Sequence, residues 1–544
     1  MIRRRVAIFV LFALFTGACA GGWVSDEVLE EIGELPELPA APLPPNPAPP
    51  SPPPPGPPPP GPIPPTTSTE PTRPSDYEPA YEPTECRMVL LDNEVDRVDC
   101  GALIVPVDRA LPEGPQVRVA VAIIRSTADA PLADPVLYLH GGPGGFAVPD
   151  YDQWLYPEHP ILETRDLILI DQRGSGYSEP SLNCPEVEGF GNPLNGLRDC
   201  FQRLADEGVD VNRFTTEDIA LDIADLRIAL GYESWNLYGV SYGTRAALAA
   251  MRAEPAGLRS VVLDSPYPPE VEAYAEQAPN GRRAMDSVLQ ACTADPRCGE
   301  AFGDLRPTLD RLLTDLAESS ETVTVDALFG GEPIEITVDD SVLANGIFAT
   351  LYDTFSARAV PLAIHRAAEG DLDSAAELLS LAGGFHKPRA QDEDEYLSLI
   401  DAEGAHWSPE CAEEVAGSSL DEAVDAAQAD NPIDQALLGD VEYVFSACRV
   451  WAVDAAPAAT QDPIRSDVRT LIVAGQFDPI TPPGWGERTA DDLTSAQLVI
   501  VPFAGHGSTY ERCPESLMMA FLDDPDQGVD TACLGELEAR FRLP

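Results

Sequence analysis

The chain has 544 residues, more than one hydrophobic core usually supports, so either one large domain with a big insertion or two domains is expected. Aspartate plus glutamate number 91 against 34 lysine plus arginine, for a formal charge of −57, and Lys387 is the single lysine. That balance makes nucleic acid and anionic membrane patches poor partners and reads as a solvated acidic surface, suited to solubility or a salty habitat.

At the N-terminus, Arg3 to Arg5 precede "VAIFVLFALF" and then "TGACAGG", the layout of a secretory signal peptide over residues 1–20 and too short to span a bilayer. Two cleavage readings stand. "TGAC" resembles a bacterial lipobox, with Thr16 where leucine is usual, and would leave a lipid on Cys19; "ACA" equally resembles an ordinary A-x-A site. The mature protein is expected outside the cytoplasm of a bacterium, extracellular or in the cell envelope, and membrane-anchored if Cys19 carries lipid. Residues 21–75 include "PPNPAPPSPPPPGPPPPGPIPP", which cannot build a packed core and predicts an extended polyproline II spacer of about 3.1 Å per residue.

Setting Cys19 aside, ten of the eleven cysteines remain, an even number in an exported chain, which points to disulfides. They fall as close neighbours, so the expected pairs are Cys86–Cys100, Cys184–Cys200, Cys292–Cys298, Cys411–Cys448 and Cys513–Cys533. A metal site is a weak alternative, since C-x-x-C does not occur and the six histidines are scattered.

From residue 76 the pattern turns globular. Strands are expected at 117–124, 135–139, 166–170, 236–240 and 260–264, and "TTEDIALDIADLRIALG" reads as a helix from the spacing of Ile219, Ile223, Leu226 and Leu230, with Thr216 as N-cap and Gly231 as stop. Alternating strands and helices indicate a mostly parallel α/β sheet. After Asp264 helical patterns dominate for about 200 residues, and strands return at 469–475 and 496–502 to rejoin the first sheet. The expected division is 76–265 for the first part of the core, 266–464 for an inserted helical cap and 465–544 for the second part.

The stretch "LYGVSYGTRA" (237–246) places Ser241 between two glycines, after an apolar strand and before "TRAALAAMRAEP", a run of helix formers. An activated serine needs a base, and the base needs a group that orients it. Asp478 in "AGQFDPITPP" and His506 in "FAGHGST" each directly follow a late strand, giving the order Ser, acid, His. His159, His365, His386 and His406 lack a preceding strand. For the oxyanion, the candidate N–H groups are those of Tyr242, next to the serine, and of Gly142 in "YLHGGPGGF". Phosphate binding by that loop is disfavoured because G-K-[ST] is missing.

The segments "LHGGPGG", "LIDQRGSGYSEP", "GVSYGT", "FDPITPP" and "GHG", with "CTADPRC" in the cap, resemble the proline iminopeptidase and tripeptidyl aminopeptidase branch of the α/β-hydrolases, especially the exported actinobacterial type, over most of residues 86–540. The resemblance implies an α/β-hydrolase fold with a large helical cap inserted before the last strands. It also implies a serine exopeptidase that releases one residue or a tripeptide from the free N-terminus of peptides; a serine cycle of this kind needs no metal or organic cofactor, and a monomer is expected. Cap carboxylates would hold the substrate's α-amine, and Glu413 in "SPECAEEV" is the candidate; Asp171 and Arg173 of "DQRG" read as structural. A carboxylesterase or lipase-like activity on the same three residues is the alternative, because fold does not decide substrate.

Overall fold

Branched and aromatic residues make the strands, and the runs "VLYL", "LILI" and "WNLYGV" are buried along their whole length, as strands covered on both faces must be. The computed structural model describes residues 77–156, 158–187, 192–325, 334–380, 399 and 402–544; the signal-peptide and proline-rich segments, with Cys19, lie outside them. Nine strands form the main sheet: β1 (Ala80–Thr84), β2 (Val98–Pro106), β3 (Gln116–Ile124), β4 (Val136–Leu139), β5 (Leu167–Ile170), β6 (Trp235–Val240), β7 (Leu258–Asp264), β10 (Arg469–Gly475) and β11 (Ala496–Val501), with β8 (Glu321–Val325) and β9 (Ile334–Val338) forming a separate antiparallel hairpin. The sheet order is β1-β2-β3-β5-β4-β6-β7-β10-β11. The pairs from β5 through β11 are parallel, and β1 to β3 add an antiparallel edge.

All seven strands expected from the sequence are present, while β1, β2 and the β8–β9 hairpin were not anticipated. The hairpin adds two strands to the segment 266–464, where helical patterns dominate: "ETVTV" and "IEITV" alternate, but each is only five residues long. The helix Thr216–Leu230 packs Ile219, Ile223 and Leu226 under the sheet and ends on Gly231 at φ 77°. Its N-cap is Thr215, whose side chain accepts from the Asp218 N–H, and not Thr216, which is the first helical residue and bonds elsewhere.

Between β7 and β10 the chain builds helices at Ala273–Ala294, Arg306–Glu318, Asp340–Thr350, Val360–Ala368 and Pro432–Val450, which bury Met285, Leu309, Ile347, Phe348, Ile364 and Leu437 in a core of their own. The cap is thus a packed body that can present side chains rigidly to the sheet. All five disulfides join the sequence neighbours named above. Cys411–Cys448 ties the Pro432–Val450 helix to the segment that follows the helix Glu403–Pro409.

Candidate active site

Ser241 stands between β6 and the helix Tyr242–Ala253 with φ 58° and ψ −128°, a backbone conformation that costs energy for any residue with a Cβ and that lifts its side chain out of the strand-to-helix turn. The flanking glycines are steric requirements. A Cβ on Gly239 would overlap the Gly243 carbonyl, and one on Gly243 would overlap the Leu139 carbonyl of β4. The turn is held by the Ser241 N–H donating to the Asp264 carbonyl at 3.0 Å and by Thr244 donating through its N–H, 2.8 Å, and its hydroxyl, 2.5 Å, to the Ser241 carbonyl.

Asp478, fully buried after β10, accepts from the Ile480 and Thr481 N–H groups at 3.0 and 2.9 Å and from the Thr481 hydroxyl at 2.8 Å. Its Oδ2 lies 2.9 Å from Nδ1 of His506, which follows β11. Burial pushes the Asp478 carboxyl up, but the His506 charge and hydrogen bond, with the Thr481 bonds, outweigh it and hold the group below its ordinary range. For His506 burial lowers the pKa, and Asp478, with Asp264 behind it, raises it above the ordinary value.

Ser241 and His506 line one cavity of about 360 Å³ together with His140, Gly141, Gly142 and Gly145 of the loop after β4. Gly141 lies against the serine: a Cβ there would come within 2.7 Å of the Ser241 Cβ. Tyr242 begins the helix behind Ser241. The "DQRG" residues brace this loop from outside the cavity, in keeping with a structural role. Asp171 accepts from the Ala147, Val148 and Tyr177 N–H groups at 2.7 to 2.8 Å, and Arg173 is clamped on Asp222 at 2.6 and 2.7 Å. Burial pushes Asp171 up to about 6 against the pull of those three N–H groups.

Residues 134–296, from β4 past the serine turn into the cap, match a family model described as alpha/beta hydrolase fold. The chain has the α/β-hydrolase fold. Residues 438–533, which carry Asp478 and His506, match a second model described as TAP-like protein. The chain is 28% identical over 206 residues to the tripeptidyl aminopeptidase of Streptomyces coelicolor, covering 33% of this chain and 37% of that protein. It is 28% identical over 222 residues to the serine protease Hip1 of Mycobacterium tuberculosis, covering 37% and 42%, and 29% identical over 137 residues to a probable proline iminopeptidase of Streptomyces coelicolor, covering 25% and 34%. The match spans well under half the length of each of these relatives.

The cap wall of the cavity carries Tyr274 and Gln277 from Ala273–Ala294, Glu403, His406, Trp407 and Glu410 from the segment 403–415, and Asp440 and Tyr443 from Pro432–Val450. Among the described residues lining the cavity none is lysine or arginine. Glu413 is not in this wall. It is buried behind it, where Oε1 accepts the Thr216 N–H at 2.8 Å and Oε2 accepts the Thr216 hydroxyl at 2.7 Å and faces Arg245 Nε at 3.3 Å. Arg245 also pairs with Glu414 at 2.5 Å and lies over the Tyr267 ring.

The carboxylate that faces the cavity from this turn is Glu410, which accepts from the Tyr274 hydroxyl at 2.6 Å. Burial pushes Glu410 up to about 7, opposed by the Tyr274 bond and the charge of Arg245. Glu410, Glu413 and Glu414 sit at i, i+3 and i+4, so all three share the buried side of their helical turn, and that spacing was the one sequence signal that could have pointed to Glu410 beside Glu413. Glu403, which accepts from Trp407 Nε1 at 2.7 Å, and Asp440 had no distinguishing pattern.

Proposed function

We propose that this hydrolase is an exported serine exopeptidase that removes one or a few residues from the free N-terminus of peptides. In the proposed cycle His506 takes the Ser241 proton, the serine oxygen attacks a peptide carbonyl, and the developing oxyanion accepts from the N–H groups of Tyr242 and Gly142. Asp478 holds Nδ1 protonated, so that Nε2 is the basic nitrogen, and stabilises the imidazolium. His506 then returns the proton to the leaving amine, and water repeats the steps on the acyl-enzyme. Export fits the five disulfides and the leader-like N-terminus.

The observation that carries the substrate assignment is the charge of the cap wall. Glu410, Glu403 and Asp440 share the cavity with Ser241, and lysine and arginine are missing from its described lining. A peptide's α-ammonium supplies the cation. Glu410 is the anchor we assign to it, in place of Glu413, and Gln277, buried and lining the same wall, offers an amide donor and acceptor to the substrate's peptide backbone. The test is kcat/KM on free peptides, their N-acetylated forms and short-chain esters. Preference for the free amine supports the exopeptidase; equal rates on free and blocked peptides, with faster ester turnover, favour the esterase.

A further inference from the structure

The three residues of the proposed triad follow β6, β10 and β11, and the strand between β6 and β10 is β7, which contributes none of them. β7 nevertheless ends in a fully buried carboxylate, Asp264. Its main-chain carbonyl accepts the N–H of Ser241 at 3.0 Å. Its Oδ1 accepts the Ser508 N–H at 3.0 Å and the Ser265 hydroxyl at 3.2 Å; its Oδ2 accepts the Thr509 N–H at 2.7 Å and the Thr509 hydroxyl. The next residue, Ser265, is held at φ 58°, and its Oγ accepts the Gly507 N–H at 2.9 Å. One residue therefore grips the serine turn through its backbone and, with its neighbour, the three residues that follow His506.

We propose that Asp264 is a positioning residue that sets His506 against Ser241 and places a second anion behind the imidazole. This rests on the serine-hydrolase reading. The serine turn and the histidine loop belong to segments more than 200 residues apart, and the strand lying between the serine's strand and the acid's strand is where a single residue reaches both. A carboxylate suits the position because each of its oxygens faces a main-chain N–H, which can only donate, as well as a hydroxyl that is free to donate. An asparagine would turn an NH2 group toward one of them.

The groups around His506 are Asp478 after β10, the Thr481 hydroxyl 3.1 Å from Nδ1, Asp264 at the end of β7, Tyr352 with its ring 5.1 Å away, and Ser241 across the cavity. Arg283 donates to the Asp478 carbonyl from the cap, and Tyr238 and Tyr510 flank Asp264. The two carboxylates raise the His506 pKa, so loss of the Asp264 charge lowers it.

The experiment compares wild type, Asp264→Asn and Thr509→Val in the rate of Ser241 labelling by a serine-directed phosphonate and in the pH profile of kcat/KM. Asp264→Asn is expected to slow labelling and kcat by about 10²-fold, the scale of a 1 Å misplacement, and to move the acidic limb to lower pH. Thr509→Val, which removes one donor and keeps the anion, is expected to lower kcat several-fold with KM and the limb unchanged, and it serves as the test if Asp264→Asn does not fold. A residue that only holds the fold would lower the melting temperature and leave labelling rate and limb as in wild type; that outcome overturns the proposal, as does wild-type kcat in Thr509→Val. Failure of the phosphonate to label Ser241 in the wild type would instead overturn the serine-hydrolase reading beneath it.

Discussion

The cavity has a sheet wall and a cap wall, and Asp478, behind the histidine of the first, and Glu410, on the second, are held in opposite states. Asp478 is kept below its ordinary pKa because His506 and Thr481 supply charge and hydrogen bonds that exceed the cost of burial. Glu410 is equally buried but is pushed up to about 7, because one guanidinium, Arg245, is drawn between Glu413 and Glu414 and reaches Glu410 only through space. A carboxylate whose partners are all built in suits the orientation of a base. One left short of positive charge at a cavity gains most from a cationic ligand. The difference separates the wall that would do chemistry from the wall that would select the substrate.

The strongest way to break that division is at the sheet wall. Ser241→Ala should leave the protein folded, by melting temperature, and lower peptide hydrolysis by roughly 10⁴ to 10⁶-fold, since the oxyanion donors and substrate binding retain only part of the catalysis. Retention of near-normal turnover would make the sheet wall mere scaffold. The cap wall can be loosened as a whole. Replacing Cys411 and Cys448 by alanine opens a cross-link of sequence separation 37, worth about 4 kcal/mol in the chain-entropy description. Denaturant titration should show that loss, while Ser241 phosphonate labelling persists under native conditions.

A finer cut lies within the cap wall. Glu410→Gln should shrink the preference for free over N-acetylated peptides by about 10-fold to 150-fold, from a charged hydrogen bond of about 1.5 to 3 kcal/mol. Glu413→Gln should instead lower the melting temperature, through the loss of its Thr216 and Arg245 contacts, and leave the ratio intact. The reverse pattern would return the anchor to Glu413.

The smallest effect expected is on pH dependence. For free peptides kcat/KM should fall as pH drops through about 7, where Glu410 takes up a proton, and His506, raised above 6.5, becomes charged in the same direction. For N-blocked substrates only the His506 limb should remain. In the unfolded chain Glu410 ionises near 4.5, and in the folded protein only near 7, so between those values folding binds a proton and stability declines as pH rises. Glu410→Gln should flatten that decline in a melting series.

How far these features were legible depends on chain distance. Ser241, Asp478 and His506 each follow a strand whose apolar run is plain in the sequence, and the glycines around Ser241 are demanded by the turn itself. Strand β1 was missed because it forms the exposed edge of the sheet, and the β8–β9 hairpin because it is short, whereas β2 pairs on both sides and is largely buried, so that its run "GALIVP" was a signal the sequence carried. Thr216 was assigned as a cap because two adjacent threonines are equivalent until a backbone angle separates them; Thr215 is extended, and Thr216 bonds to Glu413 at a separation of 197 residues.

The sequence by itself determined the order of serine, acid and histidine, the elements that carry them, and the five neighbour disulfides, because each is set by local periodicity, by turn sterics or by the closing of a short loop. The tertiary structure alone decided that Glu410 faces the cavity while Glu413 faces Thr216 and Arg245. It also decided that Asp264 spans the serine turn and the histidine loop. Those choices rest on which way one side of a helical turn meets its neighbours and on which strand ends lie side by side, and both are settled only when segments hundreds of residues apart pack together.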